Sequence, residues 1–207
     1  MKKQFFVSGI GTEIGKTYCS AMLVKALQAD YWKPVQAGDL HDLESDKIKH
    51  WSKTNGKIYP ATYLLNTPAS PHLSAKIDGI DIGLDNFDLP NSDNHLVVEG
   101  AGGLLVPLND HDTILDLIEK LELPVVVVIR HYLGSINHSM LTLELLKLRG
   151  LKIGAIVFNG PEHESSEDFI LKNVDSSIPV LRMPELDWSD DVIVEQTASS
   201  WRSKILK

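Results

Sequence analysis

The chain has 207 residues, of which 43% are hydrophobic and 23% are charged, a composition typical of a globular protein. Its formal net charge of −8 at pH 7 argues against bulk nucleic-acid binding and against a basic membrane-binding patch, because both require a concentration of basic side chains. The length predicts one compact domain that spans residues 1–207.

The cellular compartment is indicated by what the sequence does not contain. Cys19 is the single cysteine, so no intrachain disulfide can form and a reducing compartment is favoured. No apolar stretch approaches the roughly 20 residues that a membrane span needs. The first residues lead directly into an apolar strand without the features of a signal peptide. We therefore expect a cytoplasmic protein.

Short apolar runs alternate with segments of helical periodicity along the chain. The runs predict buried strands at Gln4–Ser8, Tyr31–Val35, His95–Glu99, Pro124–Ile129, Lys152–Phe158 and Pro179–Leu181. The periodic segments predict helices at Lys16–Gln28, Asp42–Lys53, Thr113–Leu121 and Gly134–Leu148. Most of the stretch from Gly38 to Pro90 is expected to form long loops. This order predicts an α/β fold with a doubly wound, mostly parallel sheet flanked by helices, as in P-loop NTPases.

A glycine-rich segment, Gly9 to Thr17, connects the first strand to the first helix. Its Gly-Lys-Thr end is typical of a loop that binds triphosphates through backbone N–H groups. Lys16 would reach the β- and γ-phosphates, and the hydroxyl of Thr17 would bind magnesium. In the usual spacing a glycine would stand at Ile10, so the motif alone also permits an ordinary strand-to-helix turn. The position between a buried strand and an amphipathic helix favours the phosphate loop.

Carboxylates that could hold the magnesium ion occur in two places. Glu99 ends an apolar strand just before the glycine-rich segment Gly100–Gly103, and ligands of parallel sheets bind at the carboxyl ends of strands. The second place is an acidic segment in which spacing does not choose among the candidates. These candidates are Asp39, Asp42, Glu44 and Asp46.

Several motifs together resemble the ATP-dependent dethiobiotin synthetase family of P-loop NTPases, and the match covers nearly the whole chain. The segments that carry the resemblance are Gly9–Thr17, Lys33–Gly38, Pro71-His72, Val98–Gly103 and Leu133–His138. The resemblance implies addition of carbon dioxide to an amine of 7,8-diaminononanoate. ATP would then activate the carbamate so that the second amine closes the ureido ring.

The resemblance also implies roles for individual residues. Lys16 and Lys33 would be the catalytic lysines, and Thr17, Asp46 and Glu99 would surround Mg2+. Lys33 and Gly102 would contact the diamine, and Gly134, Ser135 and Asn137 would reach the carboxylate of substrate held mainly by a neighbouring subunit, which implies a homodimer. Asn159 would recognise adenine, with Met183, Pro184 and Glu185 closing over the base. The remaining positions expected to bind ATP are Thr12, Glu13, Ile14, Gly15, Lys16, Thr17, Tyr18 and Gly160.

Other interpretations differ from this one at identifiable positions. Regulatory or partitioning ATPases of the deviant P-loop group, which act through a protein partner, carry a lysine where this chain has Gly11. A small-molecule kinase would use the same phosphate loop, and the chain is too short to include the glutaminase domain of an amidotransferase. Ala37 stands where relatives have a serine or threonine. We expect no zinc site, and we expect Trp32 and Trp51 to be packing residues.

Overall fold

Strands and helices alternate along residues 2–206, the part of the chain that the computed structural model describes. The strands are β1 (Gln4–Gly9), β2 (Asp30–Trp32), β3 (Val35–Ala37), β4 (Ile58–Tyr59), β5 (Tyr63–Leu65), β6 (Leu96–Gly103), β7 (Val125–Arg130), β8 (Ile153–Asn159) and β9 (Val180–Met183). The α-helices are α1 (Lys16–Leu27), α2 (Glu44–Ser52), α3 (Pro71–Asp78), α4 (Ile114–Leu121), α5 (Ser135–Leu148), α6 (Glu164–Lys172) and α7 (Asp191–Ile205), and a short 3-10 helix spans Leu84–Asn86.

Seven strands form one parallel sheet in the order β4-β2-β6-β1-β7-β8-β9. The central strands are apolar along their whole length; Val125 to Ile129, for example, are completely buried. Such continuous burial is expected for a strand that is covered on both faces by helices. The predicted fold class is therefore confirmed. β1 lies between β6 and β7, so their carboxyl ends converge on the loop that follows β1.

The predicted strand Tyr31–Val35 is wrong in its extent, because the structure divides it at Lys33 and Pro34. β2 belongs to the large sheet, whereas β3 pairs with β5 in a separate two-stranded sheet. Proline has no backbone N–H to donate to a ladder. The carbonyl oxygen of Pro34 instead accepts hydrogen bonds from the amides of Thr62 and Tyr63, at 3.0 and 3.1 Å. Lys33 is thereby placed at the point where the chain leaves the large sheet.

The stretch from Gly38 to Pro90 is also more regular than expected. It contains α3, the short strands β4 and β5 and the 3-10 helix, in addition to the predicted helix α2. Helices α6 and α7 were not predicted either. α1 is buried along almost its whole length because α2 and α7 pack against it. None of the helices within residues 2–206 has the length and apolar character required to cross a membrane.

Candidate active site

Contacts with β8 and within the loop itself fix the conformation of the phosphate loop. Gly15 has φ 88°, and a Cβ atom built on it would lie 2.1 Å from Nδ2 of Asn159, so this turn requires glycine. Nδ2 of Asn159 donates a hydrogen bond to the carbonyl oxygen of Ile14 at 2.8 Å. Nζ of Lys16 donates to the carbonyl oxygen of Gly11 at 2.9 Å. The loop is therefore closed around its own lysine at the amino terminus of α1.

Thr17 lies between two carboxylates. Its Oγ1 is 2.9 Å from Oε1 of Glu99 and 3.0 Å from Oε1 of Glu44. Glu99 has no exposed surface, and the hydroxyl of Tyr31 donates to its second oxygen, Oε2, at 3.0 Å. Burial, together with the charge of Glu99, raises the pKa of Tyr31, so this hydroxyl stays protonated as a donor. Oγ1 of Thr17 and the Oε1 atoms of Glu44 and Glu99 are hard oxygen ligands of the kind that magnesium prefers.

Lys33 completes the cluster behind the phosphate loop. Its buried ammonium forms ion pairs with Glu44 and, at 3.4 Å, with Oε1 of Glu99. Burial alone would lower the pKa of Lys33, but the charges of Glu99 and Glu44 outweigh it and raise the pKa. Burial likewise opposes ionisation of Glu44, whereas the charge of Lys33 keeps the pKa of that carboxyl low. Lys33 therefore stays protonated and contributes positive charge; it does not act as a base.

Lys16 has the opposite electrostatic balance. Burial lowers its pKa more than the charge of Glu99 raises it, and the positive charge of Lys33 lowers it further. A bound polyphosphate would supply the negative charge that this ammonium lacks. An anionic ligand next to Lys16 would therefore balance the positive charge of this ammonium.

The structure does not bring Asp46 into this cluster. Its side chain lies on the exposed surface of α2, and within residues 2–206 Glu44 is the acid from the 39–46 segment that contacts Thr17. Sequence spacing left Asp39, Asp42, Glu44 and Asp46 as alternatives, and the resemblance selected Asp46. The exact start of α2 decides whether Glu44 or Asp46 faces the loop.

Most of the candidate residues for ATP line one cavity of about 700 Å³. Gly15, Lys16 and Thr17 lie at its phosphate end. The amide of Gly160 donates to the carbonyl oxygen of Met183 at 2.8 Å, which holds the ends of β8 and β9 together at another wall. The other candidates that line this cavity are Glu13, Tyr18, Asn159, Pro184 and Glu185. Thr12 lines a neighbouring cavity, where Ile14 is also found, although Ile14 itself is buried.

The candidate substrate residues of α5 lie apart from the nucleotide cavity. Gly134, Ser135 and Asn137 line a second cavity of about 840 Å³, together with Leu133 and Phe169. The side chain of Leu133 is fully exposed. Gly102, by contrast, follows Glu99 on β6, where a Cβ atom would lie 2.6 Å from Cγ2 of Val106.

Sequence reasoning named Glu44 among its acidic candidates but did not select it, and it missed several other residues that the structure places at the site. Glu44 contacts Thr17, and Tyr31 contacts Glu99. The further residues that line the nucleotide cavity are Lys47, Trp51, Arg130, Leu186 and Trp188. The prediction that Trp32 packs in the core is confirmed, since it is 2% exposed, whereas Trp51 is half-buried at the cavity wall.

Known proteins resemble the chain in sequence and in fold. A family described as an AAA domain matches residues 3–196. An ATP-dependent dethiobiotin synthetase from Christiangramia forsetii is 46% identical over 206 residues, which is 99% of each chain. The enzyme of the same name from Cytophaga hutchinsonii is 44% identical and covers 92% of this chain and 93% of its own.

Solved structures of other proteins share the fold at much lower identity. A ParA family ATPase from Chlorobium tepidum superimposes with a TM-score of 0.54 at 16% identity, over 100% of this chain and 92% of its own. A putative plasmid partition protein from Borrelia burgdorferi, bound to AMPPNP, gives a TM-score of 0.56 at 10% identity over 98% of both chains. At these identities the likeness concerns the fold alone.

Proposed function

The chain belongs to the ATP-dependent dethiobiotin synthetase family, and we propose that it uses ATP to close the ureido ring of dethiobiotin. Its substrates are ATP, carbon dioxide and 7,8-diaminononanoate, and it acts in the cytoplasm as a ligase of biotin biosynthesis. Residues 1–207 form a single ATP-binding domain. The observation that carries the proposal is the contact of Thr17 and of the buried Lys33 with the buried Glu99, next to the buried Lys16 of the phosphate loop.

The reaction forms two carbon–nitrogen bonds to the carbon of carbon dioxide. One amine adds to carbon dioxide and loses a proton, which gives a carbamate. A carbamate oxygen then attacks the γ-phosphorus of ATP, and ADP leaves. The second amine attacks the carbonyl carbon of this mixed anhydride, loses its proton and expels phosphate as the five-membered ring closes. Positioning and charge stabilisation suffice for each step, so no protein nucleophile is needed.

The two lysines would provide the positive charge. Lys16 lies at the amino terminus of α1, where the helix dipole and the loop amides also favour phosphate. Lys33 is held as a cation by Glu44 and Glu99. These ammonium groups would stabilise the charge on the transferring phosphoryl group and on the leaving phosphate. They would do so more strongly in the transition state than in the ground state.

Magnesium fits the oxygen ligands present. Thr17, Glu99 and Glu44 would hold it, and the ion would supply positive charge that offsets the charge of the phosphates. Within residues 2–206 no three His, Cys, Asp or Glu side chains cluster so as to hold a metal by themselves. Magnesium at triphosphate sites uses one or two carboxylates and takes its other ligands from phosphates and water.

A homodimer with shared active sites would explain the position of the second cavity. The amide of Ser135 donates to the carbonyl oxygen of Tyr132 at 2.9 Å, so the amides of Ile136 and Asn137 are the ones at the start of α5 that suit a carboxylate. Gly134, Ser135 and Asn137 line that cavity, away from Lys16 and Lys33. A partner subunit would bring its own copy of this helix start to the substrate beside the phosphate loop. The exposed side chains of Leu133 and Leu141 favour a covered surface here.

The proposal is tested by measuring phosphate release from ATP in the presence of bicarbonate, with and without 7,8-diaminononanoate. We expect release to depend on the diamine, because the carbamate must form before the γ-phosphate can be transferred. Release that is equally fast without the diamine would contradict the proposal and would favour a simple ATPase.

A further inference from the structure

Three aromatic side chains from separate elements form one wall of the nucleotide cavity. Tyr18 is on α1 next to the phosphate loop, Trp51 is near the end of α2, and Trp188 lies between β9 and α7. Their ring centroids are 4.7 Å apart for Tyr18 and Trp51, 5.6 Å for Trp51 and Trp188, and 6.4 Å for Tyr18 and Trp188. The ring planes are inclined by only 16–19° to one another. We name these three residues the aromatic wall.

Helix α2 connects the aromatic wall to the phosphate end of the cavity. Glu44, Lys47 and Trp51 all line the cavity, and their spacing of three and seven residues puts them on one face of the helix. At about 1.5 Å of rise per residue, Trp51 lies roughly 10 Å along the helix from Glu44. Glu44 contacts Thr17, where the metal and the terminal phosphates would lie. The separation corresponds to the span from the phosphates to the base of an extended nucleoside triphosphate.

The cavity residues outside the phosphate loop form two kinds of surface. Asn159, Gly160 and Pro184 lie at or just after the carboxyl ends of β8 and β9, where their polar backbone and side-chain groups line the cavity. The rings of the aromatic wall are stacked on one another and line the same cavity, so a base that enters it could extend the stack. A nucleotide base has a polar edge and two apolar faces, so the two surfaces are complementary to different parts of it.

The aromatic wall differs from the tryptophans that serve as packing residues. Trp32 and Trp201 are 2% and 1% exposed, whereas Tyr18 is 44% exposed and Trp51 and Trp188 are half-buried. Trp188 is adjacent to α7, which is joined to α2 by an ion pair of 2.5 Å between Lys53 and Asp191. Both charged groups are largely exposed, so packing of α7 on α1 does more to fix this segment than the ion pair does.

From these observations we propose that the aromatic wall stacks on the base of the bound nucleotide and supplies the preference for a nucleoside triphosphate over bare triphosphate. The inference rests on the proposed function in taking ATP as the ligand. The phosphate loop binds the phosphates of either ligand, and only the aromatic wall distinguishes them by the face of the base. Stacking of this kind tolerates different bases, so the wall adds affinity, and selection among bases is left to the polar edge.

The test is calorimetric binding of ATP and of inorganic tripolyphosphate, each with magnesium, to the full-length protein and two variants. Trp51→Leu removes the flat face and keeps apolar bulk, and Trp51→Phe keeps a smaller flat face. We expect Trp51→Leu to bind ATP about tenfold more weakly, as loss of one stacking contact implies, and to bind tripolyphosphate as the parent does. Trp51→Phe should recover most of the ATP affinity.

Two results would overturn the proposal: unchanged ATP affinity in Trp51→Leu, or an equal loss for ATP and tripolyphosphate. Unchanged tripolyphosphate binding also demonstrates that the variant is folded. A second readout is the tryptophan fluorescence of the parent protein, which ATP should change and tripolyphosphate should not; equal changes with both ligands would count against the wall. Dethiobiotin formation is measured separately. A parent that makes none but binds ATP in the expected pattern would refute the proposed function and leave the aromatic wall supported.

Discussion

Replacing Tyr31 with phenylalanine removes one hydroxyl group and leaves the packing of a completely buried ring unchanged. That hydroxyl donates to Oε2 of Glu99 at 3.0 Å, and Glu99 is itself completely buried. Without the hydroxyl, Oε2 of a buried carboxylate loses this donor. Hydrogen bonds to charged groups contribute about 1.5–3 kcal/mol to stability. We expect Tyr31→Phe to lower the free energy of unfolding by about that amount.

Thermal and denaturant unfolding measure this loss. For a chain of about 150–250 residues, 1 kcal/mol shifts the melting temperature by about 2–4 °C, so the expected decrease is about 3–12 °C. Tyr63→Phe is the matched control, because the hydroxyl of Tyr63 accepts hydrogen bonds from uncharged donors, the amide of Gly83 at 3.1 Å and the side chain of Asn86 at 2.7 Å. Because Tyr63 is only half-buried, water can take the place of its hydroxyl at these neutral donors, and we expect a total cost of about 0.5–1.5 kcal/mol. A cost for Tyr31→Phe no larger than that for Tyr63→Phe would refute the reasoning.

Three further predictions concern the active site. Glu44→Gln should raise the magnesium concentration needed for half-maximal activity, whereas the exposed Asp46→Asn should change it little; a shift confined to Asp46→Asn would restore the assignment that the family resemblance implies. Lys33→Ala should lower kcat by about 10²–10³ while KM changes less, since Lys33 would act on charge that grows in the transition state; a change in KM alone would make it a binding residue. Mixing inactive Lys16→Ala with inactive Asn137→Ala should recover activity after subunit exchange, because a heterodimer regains one intact site, and no recovery would place the substrate within one chain.

Local sequence patterns sufficed for most strands of the large sheet, though not for β4, and for the position of the phosphate loop between β1 and α1. The strand ending at Gly9, the loop to Thr17 and the helix that follows are contiguous, so each part reinforces the prediction of the next. The buried strand β7 is recognisable from its run of valines for the same reason. Lys33 and Glu99 were identified as functional residues from motifs, but their mutual contact depends on β2 and β6 being neighbours.

The residues that were missed depend on contacts between distant segments or on weak helix signals. α2 begins after Leu43, which has no side-chain cap, so the sequence does not indicate whether Glu44 or Asp46 will face Thr17. Trp51 and Trp188 are separated by more than half the chain and meet only after α7 packs on α1. α7 does carry a local signal, since Asp190 accepts hydrogen bonds from two amides of its first turn. Its mostly polar sequence obscured the periodicity.

The central claim is that the chain joins both amines of one substrate through a single carbon at the cost of one ATP. The most direct measurement follows 13C-labelled bicarbonate into product by mass spectrometry, in a reaction with 7,8-diaminononanoate and ATP, while released phosphate is counted in the same sample. The account predicts labelled dethiobiotin and one released phosphate for each molecule formed. The Lys33→Ala variant should form both products much more slowly than the parent protein. Phosphate released with the diamine present but without any labelled ring would contradict it.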